Sequence, residues 1–266
     1  VKPDRPLESR TALVTGASAG IGYACAIHLA SLGARVVLNA RREERLVELA
    51  QRLDDQYPLS DDSPRAFVLP GDASDQTLID EMLSDDPESG RAAPDLVVVN
   101  AGRGLAGSVL DSDPAQWDEM IRTNYIGAAR LIRGAGAVLA TRRESRDCPD
   151  APADIVVLGS TVGRHISPFS SMYGSTKSAV HALAESARRE LGPRGVRVSL
   201  VEPGIVRTEF QSVAGYDPDS FGAKMAGLEP VLTPADIART IGFVVSQPPG
   251  VHVCDLVVRP TKQDYP

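Results

Sequence analysis

The sequence predicts an α/β fold, a doubly wound seven-stranded parallel sheet with helices on both faces, and three observations predict it. Short apolar runs bounded by Gly, Asn or Asp alternate with longer stretches of 3.6-residue periodicity. Several of the runs are continuous, such as LVVV at Leu96 to Val99, as strands buried on both faces require. A glycine-rich turn, TGASAGIG at Thr15 to Gly22, follows the first run and opens the first helical stretch, the place where such sheets hold phosphate groups.

The elements follow in order. Strands are expected at Thr11 to Thr15, Arg35 to Asn39, Ala66 to Leu69, Leu96 to Asn100, Ile155 to Gly159, Val196 to Val201 and Leu256 to Val258. Helices are expected at Ile21 to Leu32, Arg42 to Asp55, Asp75 to Leu83, Pro114 to Ala140, Ser171 to Leu191 and Pro234 to Ser246. Pro114 and Pro234 follow Asp113 and Thr233, a cap residue and then a proline whose missing N–H is no loss in a first turn. Two stretches break the rhythm. Thr141 to Asp154 is charged, contains proline and lacks apolar period, which predicts a surface loop inserted before the fifth strand. Arg207 to Leu232 mixes Gly, Phe, Met and Lys between a strand and a helix, where α/β folds place ligand-covering loops, so it is expected to be a lid. No repeat, linker or second domain interrupts residues 1–266, which read as one cofactor-binding and catalytic domain.

Composition narrows the class of function. The 266 residues (28.2 kDa) are 42% hydrophobic and 24% charged, an ordinary globular balance. A net charge of -7 with dispersed Lys and Arg argues against nucleic acid, whose phosphates need clustered cations, and for a small-molecule substrate. Cys25, Cys148 and Cys254 form no CxxC pair and the four histidines no HxxxH pair, so no metal is expected. No apolar run spans a bilayer and the start VKPDRPLESR is polar; the expected location is cytoplasmic, away from membranes.

The turn after the first strand places Gly16, Gly20 and Gly22 around Ser18 and Ile21, a Rossmann-type arrangement although the spacing is not GxGxxG. Glycines there give a tight turn and let backbone N–H groups at a helix start face a pyrophosphate; structural turn glycines are the alternative. The second strand ends in Asn39, Ala40, Arg41 and Arg42. A carboxylate at this place would grip ribose hydroxyls and repel a 2′-phosphate, whereas two guanidiniums offer charge-assisted bonds to one, which favours NADP(H) over NAD(H). Solvated helix-start arginines are the plain alternative, but cations are disfavoured at a helix N-terminus without an anion.

Tyr173 and Lys177 stand four apart on the predicted fifth helix and so share one face. A positive charge about 4 Å from the hydroxyl contributes roughly 4 kcal/mol at an effective dielectric of 20, enough to lower a tyrosine pKa by about three, with desolvation opposing it. Such a pair is common on helix surfaces. Ser160, directly after the fifth strand, and Asn100-Ala101-Gly102, at the end of the fourth, give it company at the strand ends where open parallel sheets bind ligands.

Taken in order, TGxxxGIG, Asn100-Ala101-Gly102, Asn124, Ser160, Tyr173-x-x-x-Lys177 and Pro203-Gly204 with Thr208 resemble the short-chain dehydrogenase/reductase family over nearly the whole chain. The resemblance implies Tyr173 as general acid/base, Ser160 as hydrogen-bond donor to the substrate oxygen, Lys177 as the group that lowers the tyrosine pKa and holds the nicotinamide ribose, and Asn124 as anchor of a relay water. It implies that Asp72 and Ala73 contact adenine, that Asn100 to Gly102 support adenosine, and that Pro203, Gly204 and Thr208 hold the carboxamide. Ala19 stands where many NADP-using relatives carry a basic residue, so the cofactor expectation rests on Arg41, Arg42 and Ser18. The Asn124 to Tyr173 separation is longer than usual, which the stretch at 141–154 absorbs.

VVRPTKQ at Val257 to Gln263 and ARREERL at Ala40 to Leu46 are similar to the serine 3-dehydrogenase and 3-hydroxy acid dehydrogenase subgroup, which implies a short 3-hydroxy acid substrate. Arg164, His165, Arg207 or Lys224 would then bind its carboxylate, with ordinary loop charges as the alternative. A 3-oxoacyl thioester reductase would use the same core residues, and a non-catalytic NADP(H)-binding regulator would be expected to lack Ser160, Tyr173 or Lys177. Small residues on the fourth and fifth helices (Gly127, Ala128, Ala135, Ala179, Ala182, Ala187) suit either packing on the sheet or pairing of subunits into a homodimer or homotetramer, as the resemblance implies.

Overall fold

The apolar runs pair side by side. In the computed structural model, which describes residues 5–61, 63–145, 152–165 and 167–264, with the side chains of Ser220 and Lys224 outside that description, they form one parallel sheet in the order β3-β2-β1-β4-β5-β6-β7. The strands are β1 (Thr11–Thr15), β2 (Arg35–Ala40), β3 (Ala66–Pro70), β4 (Leu96–Val99), β5 (Asp154–Leu158), β6 (Arg197–Pro203) and β7 (Asp255–Val258). In β1, β4, β5 and β6 every residue is buried, because helices cover both faces. On one face α1 (Gly20–Ser31), α2 (Glu43–Gln56) and α10 (Pro234–Val245) pack through Leu29, Leu49 and Ile241. On the other, α3 (Gln76–Met82), α5 (Ala128–Glu144) and α7 (Ser171–Leu191) pack through Met82, Leu131 and Val180. Order reverses at β1, which pairs with β2 on one side and β4 on the other, and this opens the crevice at their C-terminal ends.

Two expectations are corrected. The stretch from Pro114 is not one regular helix. After a 3-10 turn at Pro114–Gln116 and a short helix α4 (Trp117–Ile121), the residues Arg122–Gly127 form a π turn before α5 begins. π turns recur at functional sites, and this one carries Asn124. The expected loop at 141–154 is shorter at both ends. α5 continues to Glu144, with Arg142 and Arg143 in its last turn, where cations complement the exposed carbonyls. At the other end Asp154 opens β5 and is buried; residues 146–151 lie outside the described residues. Asp154 tolerates burial because two guanidiniums meet it, Arg10 at 2.7 Å and Arg197 at 2.7 Å, while Arg10 also holds Asp95 at 2.8 Å. This network closes the N-terminal ends of the strands. A short helix α6 (Thr161–Arg164), for which the sequence carried no expectation, follows β5.

The 207–232 segment contains α8 (Phe210–Val213) and α9 (Pro218–Gly227). Thr233 and Asp236 form a capping box at the start of α10, with Pro234 in its first turn, as the sequence suggested. Of the small residues weighed for subunit pairing, Ala128, Ala135 and Ala187 are buried within this chain and Gly127 backs directly onto Ser74, whereas Ala182 is exposed. Among the described residues no helix is long and apolar enough to cross a membrane, and no cluster of three His, Cys, Asp or Glu could hold a metal.

Candidate active site

The strand ends converge on a cleft of about 750 Å³. Its floor is the turn after β1. Gly16 and Gly20 take positive φ, +69° and +56°, which only glycine adopts without strain. Gly22 lies beneath, not on the wall; a Cβ there would sit 2.3 Å from the Gly16 carbonyl oxygen, so its absence lets α1 close against the turn. Ser18, Gly20 and Ile21 line the cleft above it. Asn100 pins the turn, its Nδ2 donating to the Thr15 carbonyl at 2.8 Å, and the N–H groups of Asn100 and Ala101 both donate to Thr15 Oγ1 at 3.1 Å. Thr15 was not singled out from sequence, although it opens the TGxxxGIG run. Ala101 and Gly102 complete this wall.

The end of β2 faces the same cleft. Asn39 donates from Nδ2 to the Leu69 carbonyl at 2.9 Å, but its buried Oδ1 has no partner. Arg42 donates through Nε and Nη2 to Ser18 Oγ at 3.1 and 3.0 Å, joining the two predicted phosphate contacts. Arg41 is more exposed and meets Glu119 at 3.3 Å. A carboxylate that sequence reasoning missed stands close by: Glu209, from the segment after β6, lies 3.4 Å from Arg42 and 3.2 Å from Arg45. Beyond β3, Asp72 accepts from the Ser74 N–H at 2.9 Å and its hydroxyl at 2.8 Å and pairs with Arg122. Burial opposes its ionisation, but these bonds and the nearby Arg122 and Arg41 charges hold its pKa below the usual value. Ala73 lines the cleft beside it.

At the far end lie Ser160, Tyr173 and Lys177. Ser160 follows β5 and caps α6, its Oγ accepting from the Val162 N–H at 3.4 Å, and its hydroxyl neighbours that of Tyr173 in the cleft. Tyr173 and Lys177 share a buried face of α7. Lys177 Nζ donates to the Leu158 carbonyl at 2.7 Å and stands 6.0 Å from the centre of the Tyr173 ring. Burial pushes the Tyr173 hydroxyl well above the ordinary tyrosine value, the Ser160 hydroxyl only partly opposing it, and pushes Lys177 down to about 8. The sequence expectation of a lowered Tyr173 pKa is therefore reversed. A charge at about 6 Å yields roughly 3 kcal/mol at an effective dielectric of 20, whereas full burial shifts a pKa by about 3 to 5, and the Leu158 carbonyl holds the ammonium.

Asn124 does not reach the cleft wall. From the π turn its Oδ1 accepts from the Arg103 N–H at 2.8 Å, and its Nδ2 donates to the Arg103 carbonyl at 2.9 Å and to Thr176 Oγ1 at 3.1 Å. Its amide thus ties the strand following Gly102 to α7. Pro203, Gly204 and Thr208 line the roof, braced by Gln263, whose Oε1 accepts from the Ile205 N–H at 2.9 Å.

Behind Ser160 stands a residue the sequence reading passed over. His181 Nε2 accepts the Ser160 N–H at 3.2 Å, and its Nδ1 lies 3.5 Å from the fully buried carboxylate of Glu202. Burial, then the Lys177 and Arg164 charges, lower His181 to about 4, so it is neutral near pH 7 and can accept that bond. The signal was its place four residues after Lys177, on the same helix face. The carboxylate-binding candidates are elsewhere. Arg164 grips Glu202 and Asp255, Arg207 grips Glu229, and neither these nor His165 lines the cleft; the Lys224 side chain lies outside the described residues.

Comparison with known proteins agrees with this geometry. A family model described as short chain dehydrogenase matches residues 10–218. Sulfoacetaldehyde reductase 2 of Chromohalobacter salexigens is 36% identical over 255 residues, covering 95% of each chain. Among solved structures, a serine dehydrogenase in a closed form complexed with NADP+ superposes with a TM-score of 0.82 at 29% identity, covering 96% of each chain. An alcohol dehydrogenase from Thermococcus sibiricus complexed with 5-hydroxy-NADP gives 0.78 at 27%, covering 97% of this chain and 99% of that one.

Proposed function

The chain belongs to the short-chain dehydrogenase family, and from that membership we propose that it is an NADP(H)-dependent oxidoreductase interconverting an alcohol and a carbonyl. The observation that carries the proposal is that Ser160, Tyr173 and the buried Lys177 line one end of a single dinucleotide-sized cleft. The residues present fit the cofactor. The glycine turn leaves room for a pyrophosphate at the start of α1, the orphaned Asn39 Oδ1 awaits a hydroxyl donor, and the Ser18–Arg42 pair offers a 2′-phosphate both a hydroxyl and a guanidinium. Asp72, Ala73 and Asn100 to Gly102 would enclose the adenosine, Lys177 the nicotinamide ribose, and Pro203, Gly204 and Thr208 the carboxamide. Relatives complexed with NADP forms support the same choice.

When bound, the cofactor supplies or accepts the hydride. The protein's part is to place and polarise the carbonyl and to move one proton. Burial keeps the Tyr173 hydroxyl protonated, which makes it the donor to a carbonyl oxygen as negative charge develops there; Ser160 donates a second hydrogen bond to the same oxygen. Lys177 stabilises the tyrosinate left behind. The 207–232 segment serves as lid to a single catalytic domain, working as a cytoplasmic homo-oligomer. Tyr173→Phe tests the reading: carbonyl reduction should fall by at least 10³-fold while NADPH binding, followed by its fluorescence, is retained. Equal loss of both, or survival of activity, rejects it.

A further inference from the structure

We propose that the substrate of this site is an uncharged carbonyl compound bearing an aryl or bulky alkyl group, and not a short anionic hydroxy or keto acid. The inference rests on the alcohol–carbonyl reading above and concerns what the same site accepts. The wall facing the Ser160–Tyr173 hydroxyls is built of rings. Phe210 stacks at a tilt on Tyr173 with centroids 5.4 Å apart, and Tyr216 and Phe221 form a second pair at 4.9 Å; all line the cleft. The mouth is apolar as well. Phe169 and Val213 line it although they are 71% and 64% exposed. Large apolar side chains left in water around a concave site gain most when an apolar ligand covers them.

Charge points the same way. Among the described side chains, the 207–232 segment contributes two carboxylates to the cleft, Glu209 and Asp217, and no cation. The described cations nearest this wall are committed. Arg164 is held by Glu202 and Asp255, Arg207 by Glu229, and Arg103, at the cofactor side of the cleft, by Glu119 and Gln116. Lys177 stands behind Tyr173, bonded to the Leu158 carbonyl. A carboxylate or sulfonate placed against Phe210 and Tyr216 would lose its hydration with no cation among the described side chains of this wall to replace it, while an aryl group would meet ring edges and faces. The chain thus departs from the relative described as a sulfoacetaldehyde reductase. In the reductive direction the carbonyl carbon takes the hydride from the reduced nicotinamide, the π pair moves onto oxygen, and that oxygen takes the Tyr173 proton; the ketone is reduced to the alcohol and the nicotinamide is oxidised.

The test is NADPH oxidation by the full chain with acetophenone and cyclohexyl methyl ketone set against acetoacetate and sulfoacetaldehyde. The expected result is a kcat/KM for the better ketone at least 100-fold above that for either anion. An anion that reacts as well or better overturns this inference and leaves the oxidoreductase reading standing. No reaction with any of the four, under conditions where NADPH binds, defeats both. Val213→Arg places a cation at the mouth, and the ketone-to-acetoacetate ratio of kcat/KM should fall at least tenfold. An unchanged ratio counts against this wall as the substrate's seat.

Discussion

Replacing His181 with Leu removes the acceptor of the Ser160 N–H and leaves that donor facing a hydrocarbon in a half-buried turn. A donor orphaned in this way costs about 1 to 3 kcal/mol, and the turn can recover part of it only by moving, which carries the Ser160 hydroxyl with it. The expected outcome is a 10- to 100-fold loss in kcat/KM for carbonyl reduction with NADPH affinity unchanged, since His181 lies behind the wall. His181→Gln, whose Oε1 can accept the same N–H, should restore most of the activity. The pH dependence gives a second readout. His181 titrates at about 4 in the fold, against 6.5 for the free side chain, and it is faced by Lys177 on its own helix, Arg164 on α6, Glu202 on β6 and Asp255 on β7. Because the unfolded chain takes up the proton first, the stability gained from neutral His181 is complete above pH 6.5 and declines as pH falls from there towards 4. The loss amounts to about 3 kcal/mol in all. Chemical denaturation across that range should show this slope in the native chain and its absence in His181→Gln. Equal activity in the Leu and Gln variants, or a slope that survives in His181→Gln, would refute the positioning role.

Two further outcomes follow from other parts of the molecule. Arg42→Ala, combined with Arg41→Ala, should weaken NADPH at least tenfold more than NADH in a fluorescence titration. Glu209→Gln, which frees Arg42 and Arg45 from an exposed carboxylate, should strengthen NADPH by a factor of about two to five, as exposed pairs of up to about 1 kcal/mol allow. Unchanged cofactor discrimination in the double variant would remove the 2′-phosphate site from this position. At the opposite end of the sheet, Asp154→Asn leaves Arg10 and Arg197 short of a buried partner and should lower unfolding stability by about 3 to 5 kcal/mol; a loss under 1 kcal/mol in urea unfolding would show that the network relaxes around it.

What could be read from the sequence depended on whether the cause was local. β4 and β5 announce themselves because continuous Val and Leu runs admit few other fates, and most motif residues from Gly16 to Thr208, Gly22 and Asn124 excepted, line one cleft because strand ends in a parallel sheet share an edge. The π turn at Arg122–Gly127 was invisible, since six residues hold too little period to separate one helical pitch from another. Asp154 was read as loop because it is charged, and only Arg10 and Arg197, 144 and 43 residues away, make its burial tolerable. Arg164 was read as free for the same reason reversed: its partners Glu202 and Asp255 lie 38 and 91 residues off. The wall of Phe210, Tyr216 and Phe221 lacks any spacing that distinguishes a lid from an ordinary connection.

The two ends of the sheet handle buried polarity in opposite ways, and the contrast separates stability from function. At the N-terminal ends Arg10 and Arg197 meet Asp154, Arg65 is bonded to three backbone carbonyls, and these groups have nothing left to offer a ligand. At the C-terminal ends Glu202 is paired with Arg164, but along the cleft some demand is left open. Asn39 Oδ1 has no partner, and Lys177 is buried against a single carbonyl and so falls to about 8. Burial holds the Tyr173 hydroxyl above the ordinary tyrosine value. Selection for stability alone would match or remove such groups. Their persistence at one edge, within reach of a glycine turn, means that the fold carries them for the ligand that completes them.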